Sequence, residues 1–268
     1  NLILGVAGQF SLGHAGFIAI GSYSGAILGK MMNGLPGLFA GMAVGVVISV
    51  IVAFLVGLPT LRLKGDYLAI ATLGVAEIIR VAVTNMKITN GAAGISGVPL
   101  TNTWTITYIA LVLTTILILN YTFSSAGRAT YAVLQDEIAA ESMGVQVTKY
   151  KILAFVLGAA TASIGGTLSA TTLGAVTPSD FTFMKSIEVL IIVVFGGIGS
   201  FTGSFVAAVL LGIINLVLQP FGQLRMIIYA VALILIMIFR PGGLLGTWEF
   251  KLGDFKFSKK KETKESGK

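Results

Sequence analysis

Residues 35–61 contain no charged side chain, and residues 104–123 and 152–173 repeat the pattern. A bilayer core takes roughly 20 consecutive apolar residues in helical form. Such runs leave few choices. In lipid every backbone N–H and C=O must be bonded within the protein, so only helices or a closed barrel can span it. The runs are long and show no period-two alternation, which selects helices. Only 11% of the chain is charged, against about 25% in soluble domains. The expected fold is an all-α, polytopic transmembrane bundle.

Further segments follow in order. Residues 2–29 are apolar but broken by Gly8, Gln9, Ser11, Gly13, His14 and Gly16. Residues 67–85 form a weaker span carrying Glu77 and Arg80, three apart and placed to neutralise each other. Residues 86–103 read as a polar loop, and Trp104 opens the next span as an interfacial anchor. The run over 152–173 is lined with Gly158, Ala159, Ala162, Gly165, Gly166 and Ala170, which let helices approach closely. Residues 186–218 are interrupted at Gly196-Gly-Ile-Gly-Ser200 and Gly203, and 226–239 enter a last span. Two units are expected, a membrane domain over 1–247 and a charged, disordered tail over 248–268. Asn1 stands inside an apolar run, so a further segment is expected before it.

One polar island interrupts these runs. Arg128–Gly144, followed by Val145–Lys151, holds Asp136, Glu137 and Glu141, three of the chain's eleven acids. It reads as one short helix. Tyr131, Leu134 and Ile138 recur at helical spacing, Ser124 or Ser125 suits the start, and Gly144 suits the position past the end. Counting Lys and Arg by loop places 124–151, 62–66, the break near 196–203 and the C-terminal tail on one side, which the positive-inside rule makes cytoplasmic. Seven of the eighteen basic residues lie between Lys251 and Lys268, so the net charge of +7 does not argue for nucleic acid.

Catalytic chemistry is hard to place. No phosphate-cradling Gly-x-x-x-x-Gly-Lys-[Ser/Thr] run occurs, and no Gly-x-Ser-x-Gly elbow. One histidine and no cysteine make no familiar zinc site. The enzyme reading is therefore weak, and no cofactor or metal of the chain's own is expected. The breaks in apolar segments are more informative, because unwound backbone at membrane depth is covered by protein or lines a cavity. Gln9, Ser11, Gly13 and His14 at the first break, with Gly196, Gly197, Gly199 and Ser200 at the second, are the candidates for a solute path. Helix N-termini starting there would offer N–H groups to an anion; tight interhelix packing is the other reading. Gly8-Gln-Phe10-Ser11 faintly echoes Gly199-Ser-Phe201-Thr202. Glu188, near the end of its span, reads as a carboxylate reaching for headgroups or a partner.

The motifs Gly8-Gln-Phe-Ser-Leu-Gly-His-Ala-Gly16, Leu61-Arg-Leu-Lys-Gly-Asp-Tyr-Leu-Ala-Ile-Ala-Thr-Leu-Gly74, Asp136-Glu-Ile-Ala-Ala-Glu-Ser-Met-Gly144, Phe195-Gly-Gly-Ile-Gly-Ser200 and Phe239-Arg-Pro-Gly-Gly-Leu-Leu-Gly246 occur in that order. Together they resemble the permease subunit of bacterial branched-chain amino acid ABC importers. The resemblance implies a second related permease, one or two ATPase subunits carrying ATP and magnesium, a solute-binding protein outside, and lipid around an inner-membrane bundle. It also implies that the polar island holds a cytoplasmic coupling helix docking on the ATPase, through Asp136, Glu137, Ala139, Ala140, Glu141, Met143 and Gly144. Ala139-Ala140, three residues and Gly144 fit the family's coupling pattern, while Glu137 stands one position early. Other cargoes (another amino acid, an amide or urea, a sugar), an ion-driven carrier and a membrane scaffold are the alternatives.

Overall fold

The computed structural model describes residues 1–218 apart from 33 and 64, together with 231, 234, 242–244 and 246. The expected span over 226–239, the turn at Gln219-Pro220 and the tail over 248–268 lie, those isolated positions aside, outside the described residues.

Helix α1 (His14–Met31) follows a short π-helical turn at Leu2–Val6. Helices α2 (Leu35–Thr60), α3 (Asp66–Asn85), α4 (Trp104–Phe123) and α7 (Val147–Leu173) are each long and apolar enough to cross a membrane. Helices α8 (Phe183–Gly196) and α9 (Phe201–Val217) form an apolar pair bent by 119° at a short break, the geometry of a broken span or a re-entrant loop. The short helices α5 (Ser125–Gln135) and α6 (Glu137–Ser142) lie between α4 and α7. By length and composition the described residues supply four spans, or five with the bent pair. The chain is a multi-pass membrane protein.

The core is the contact of α1 with α2 and α7. In α2 the buried positions Gly37, Gly41, Gly45, Ser49, Ala53 and Gly57 recur every fourth residue and make one smooth stripe. A Cβ on Gly41 would stand 2.7 Å from Gly25 Cα of α1, so the two backbones nearly touch. Hydroxyls then cross between helices. Ser22 Oγ donates to the Gly166 carbonyl and Thr167 Oγ1 to the Gly21 carbonyl, both at 2.9 Å. Such bonds are worth about 0.6 kcal/mol each in lipid, where no hydrophobic force drives helices together. Phe17 and Phe155 meet edge to face at 5.6 Å within this core.

Two segments differ from the sequence reading. The loop over 86–103 contains a short strand, β1 (Ile95–Ser96), paired antiparallel with β2 (Ala175–Val176). Two-residue strands leave no periodic signal, and they tie together the loops at the far ends of α3 and α7. Helix α7 also begins at Val147 rather than 152, carrying Lys149 and Lys151 into the helix. Glu77 and Arg80 pair as expected, with Arg80 Nε 3.0 Å from both carboxylate oxygens.

Candidate functional site

The polar island folds as two helices, not one. Asp136 breaks the run by turning extended (φ −157°), and its Oδ1 accepts from Ile138 N (2.9 Å) and Ala139 N (3.1 Å). A side-chain oxygen that satisfies two free N–H groups favours starting a new helix over continuing the old one. Ser124 caps α5 by accepting from Gly127 N. At the other end Gly144 adopts φ +83°. Val145 N donates to the Ala140 carbonyl and Gly144 N to the Glu141 carbonyl, the paired bonds of a Schellman turn. The six residues of α6 are therefore closed at both ends.

This closure sorts the side chains by face. Ile138 (76% exposed), Met143 (85% exposed), Ala139 and Glu141 point away from the chain. Ala140 is buried (6%) against the chain itself. Its small size seats α6 against the chain. A groove of about 830 Å³ runs beside α6, with Glu141, Val145, Lys149 and Leu153 among its walls and Phe54 of α2 opposite.

Glu137 gains a definite role. It forms an ion pair with Lys151, which is only 8% exposed in the first turns of α7. The Lys151 carbonyl in turn accepts from Gln9 Nε2 at 3.0 Å. Gln9 is 1% exposed and lies in the first break. Leu134 of α5 packs over Gly8, where a Cβ would stand 2.6 Å from its Cδ1. The polar island and the first break, read separately from sequence, thus form one connected unit. Helical spacing places Leu134 on its helix but not against Gly8, and Lys151 enters the sequence reading only through charge bias, because its burial depends on α6 folding back over α7.

The first break spans residues 7–13, so His14 and Gly16 belong to α1. Three N–H groups at the break and the start of α1 are accepted within the chain: Leu12 N by Thr72 Oγ1 (3.1 Å), Gly13 N by Ser11 Oγ (3.3 Å) and Ala15 N by Ser186 Oγ (2.9 Å). At the second break Ser200 Oγ accepts from Gly203 N at 3.0 Å. Both helix starts are capped from within the chain, which weakens the expected anion-binding role. Gln9, Ser11 and His14 do line a shared cavity with Ser186, Val189 and Val193 of α8, but its volume is about 60 Å³. Sites for small molecules run from about 300 Å³ upward, so this cavity is too small to hold a solute as it stands. Gly13 packs against Thr72, where a Cβ would meet its carbonyl oxygen at 2.7 Å.

The second break is a packing joint. A Cβ on Gly196 would lie 2.6 Å from Ser204 N, so only glycine lets α8 and α9 meet at their bend. Gly197 sits against Gly243, and Gly199 N donates to Asn1 Oδ1 at 2.9 Å. Ser200 is fully buried. None of Gly196, Gly197, Gly199 and Ser200 lines the small cavity, whereas Asn1 and Ser186, neither of them a candidate from sequence, do. The echo between the breaks is not repeated in shape, since α1 starts six residues after Gly8 and α9 two after Gly199.

The chain is 36% identical over 280 residues to the high-affinity branched-chain amino acid transport system permease protein LivM of Salmonella typhimurium, covering 91% of this chain and 65% of that protein. It is 25% identical to the probable branched-chain amino acid transport permease protein LivM of Methanocaldococcus jannaschii, over 91% of this chain and 78% of that one. The permease protein LivH of Escherichia coli matches 53% of the chain at 30% identity, over 46% of its own length. The chain thus spans about 65% of the length of the Salmonella relative. No solved structure matches it. The family model described as branched-chain amino acid transport system / permease component matches residues 1–239, and the chain belongs to that family.

Proposed function

We propose that the chain is one membrane-spanning subunit of an ATP-driven importer carrying branched-chain amino acids into the cell. It sits in the bacterial inner membrane with α5, α6 and the tail on the cytoplasmic side. A second, related permease completes the path, a binding protein delivers the amino acid from outside, and separate ATPase subunits bind ATP and magnesium. The likeness to both LivM and LivH supports the pairing of two related permeases.

One observation carries the reading. Helix α6 and its C-terminal cap offer Ile138, Glu141 and Met143 outward, while Glu137, Lys151 and Gln9 tie the inner side to the small cavity at the first break. A subunit that grips the outer face moves the break as it moves α6. An apolar helix edge beside a groove walled by Glu141 and Lys149 suits insertion into a complementary cleft. The test is the double substitution Ile138→Glu and Met143→Glu. Membrane insertion should be unchanged, while ATPase co-purification and leucine uptake fall by at least tenfold, as expected when apolar anchors are lost. Retention of both overturns the docking assignment.

A further inference from the structure

At the end of α7 remote from α6, a cavity of about 550 Å³ opens among α1, α7, α8 and α9. Residues 147 to 169 of α7 span about 33 Å at roughly 1.5 Å each, so this cavity lies at the membrane face opposite α6. Its volume falls in the range of small-molecule sites. One wall is apolar and includes Leu173, Val176, Met184, Ile187 and Ile191. Beside it Lys185 Nζ and Glu188 Oε2 stand 2.9 Å apart, one helical turn from each other.

Two of the other polar groups are engaged within the chain: Asp180 Oδ2 accepts from Thr177 N (3.0 Å) and Thr177 Oγ1 (2.7 Å), and Ser22 Oγ donates to the Gly166 carbonyl. Ser169, Thr182 and Asn215 add neutral polar groups to the lining, so Lys185 and Glu188 are the charged pair that faces it. Lys185 and Glu188 are each about two-fifths exposed at 41% and 43%. An exposed pair at this spacing stabilises a helix very little, so it opens at small cost. Opened, it presents one cation and one anion about a helical turn apart beside an apolar surface. An α-amino acid with an aliphatic side chain has the matching features: a carboxylate, an ammonium and a hydrocarbon branch. A simple carboxylic acid or amine satisfies only one of the two charges.

We infer that this cavity is the entry site for cargo and takes a zwitterionic amino acid with an apolar side chain. Lys185 Nζ donates to its carboxylate, Glu188 accepts from its ammonium, and the side chain lies along Leu173, Val176 and Ile187. The inference rests on the importer reading above and adds the residues that recognise the cargo.

The test uses the full chain assembled with its partner subunits in nanodiscs, without the binding protein. Labelled leucine is displaced by leucine, by 4-methylpentanoate (no ammonium) or by 3-methylbutylamine (no carboxylate). Both isosteres should displace at least tenfold more weakly, as loss of a charge-assisted bond implies. Lys185→Ala and Glu188→Ala should each weaken leucine binding about tenfold, while Lys185→Arg and Glu188→Asp stay within about threefold. Leucine uptake is measured in cells lacking the chain and complemented with the wild type. If complementation restores uptake but the alanine variants bind as the wild type does, the site is wrong and the importer reading stands. Absence of saturable leucine binding, or displacement by 4-methylpentanoate as strong as by leucine, also overturns the site. If removing the chain leaves leucine uptake unchanged, the importer reading falls, and the site with it.

Discussion

Helices α1 and α4 are of similar length, 18 and 20 residues, and have opposite surroundings. Eleven residues of α1 are buried, and in α4 none is. Yet α4 is the richer in Leu and Ile, while α1 is built largely of Gly, Ala and Ser. In water the more hydrophobic helix would be the inner one. In lipid the tails are as apolar as leucine, so large apolar side chains gain nothing by turning inward. Small residues gain close backbone approach and interhelix bonds, and they mark the core. The difference teaches that burial in this chain follows residue size more than residue hydrophobicity.

The strongest way to break that comparison is to put a large residue into the small-residue core. Gly21 of α1 faces the Ser163 carbonyl so closely that an added Cβ falls inside its van der Waals shell. Backbone cannot swing aside as a side chain can. Gly21→Leu should cost about 3 kcal/mol or more, the upper end for overpacking. The readout is thermal unfolding of the purified chain in detergent. A variant as stable as the wild type would show that α1 and α7 do not touch there.

Charged residues repeat the contrast within one short stretch. Lys151 is buried and pairs with Glu137. Arg128 is exposed and its Nη1 donates to the Phe123 carbonyl. Removing one partner of a buried pair strands the other, while exposed pairs and bonds matter little. Glu137 keeps a third of its side chain in contact with solvent (33%), which moderates the loss. Lys151→Met should therefore lower stability by about 2 kcal/mol and Arg128→Met by no more than about 0.5 kcal/mol. Urea or thermal unfolding compares them directly, and equal effects would remove the tie between α6 and the first break.

The spans were legible because an apolar run of bilayer length is a strong signal. Gly144 was legible too, since a glycine after helical spacing announces a left-handed residue. Asp136 carried an available but weaker signal. It is a helix-capping residue just ahead of Glu-Ile-Ala-Ala, yet the spacing of Leu134 and Ile138 across it suggested continuity. The burial of Ala140 and Lys151 was not legible, because both depend on how α6 folds against the start of α7. The charged pair Lys185–Glu188 was visible only in part. Sequence placed Glu188 near a span's end, but the cavity beside it is made by four helices that are distant along the chain.

The smallest expected effect tests the other half of the comparison. Leu113 of α4 is 61% exposed. If its neighbour is lipid, truncation leaves no cavity, because acyl chains flow into the space that a rigid core would leave empty. Leu113→Ala should then change stability by less than about 0.5 kcal/mol and leave co-purification of the proposed second permease intact. A loss of the second permease without a loss of stability would assign the outer face of α4 to the subunit interface. Leucine and isoleucine would then mark the partner rather than the lipid, and size would separate the core of one subunit from the joint between two.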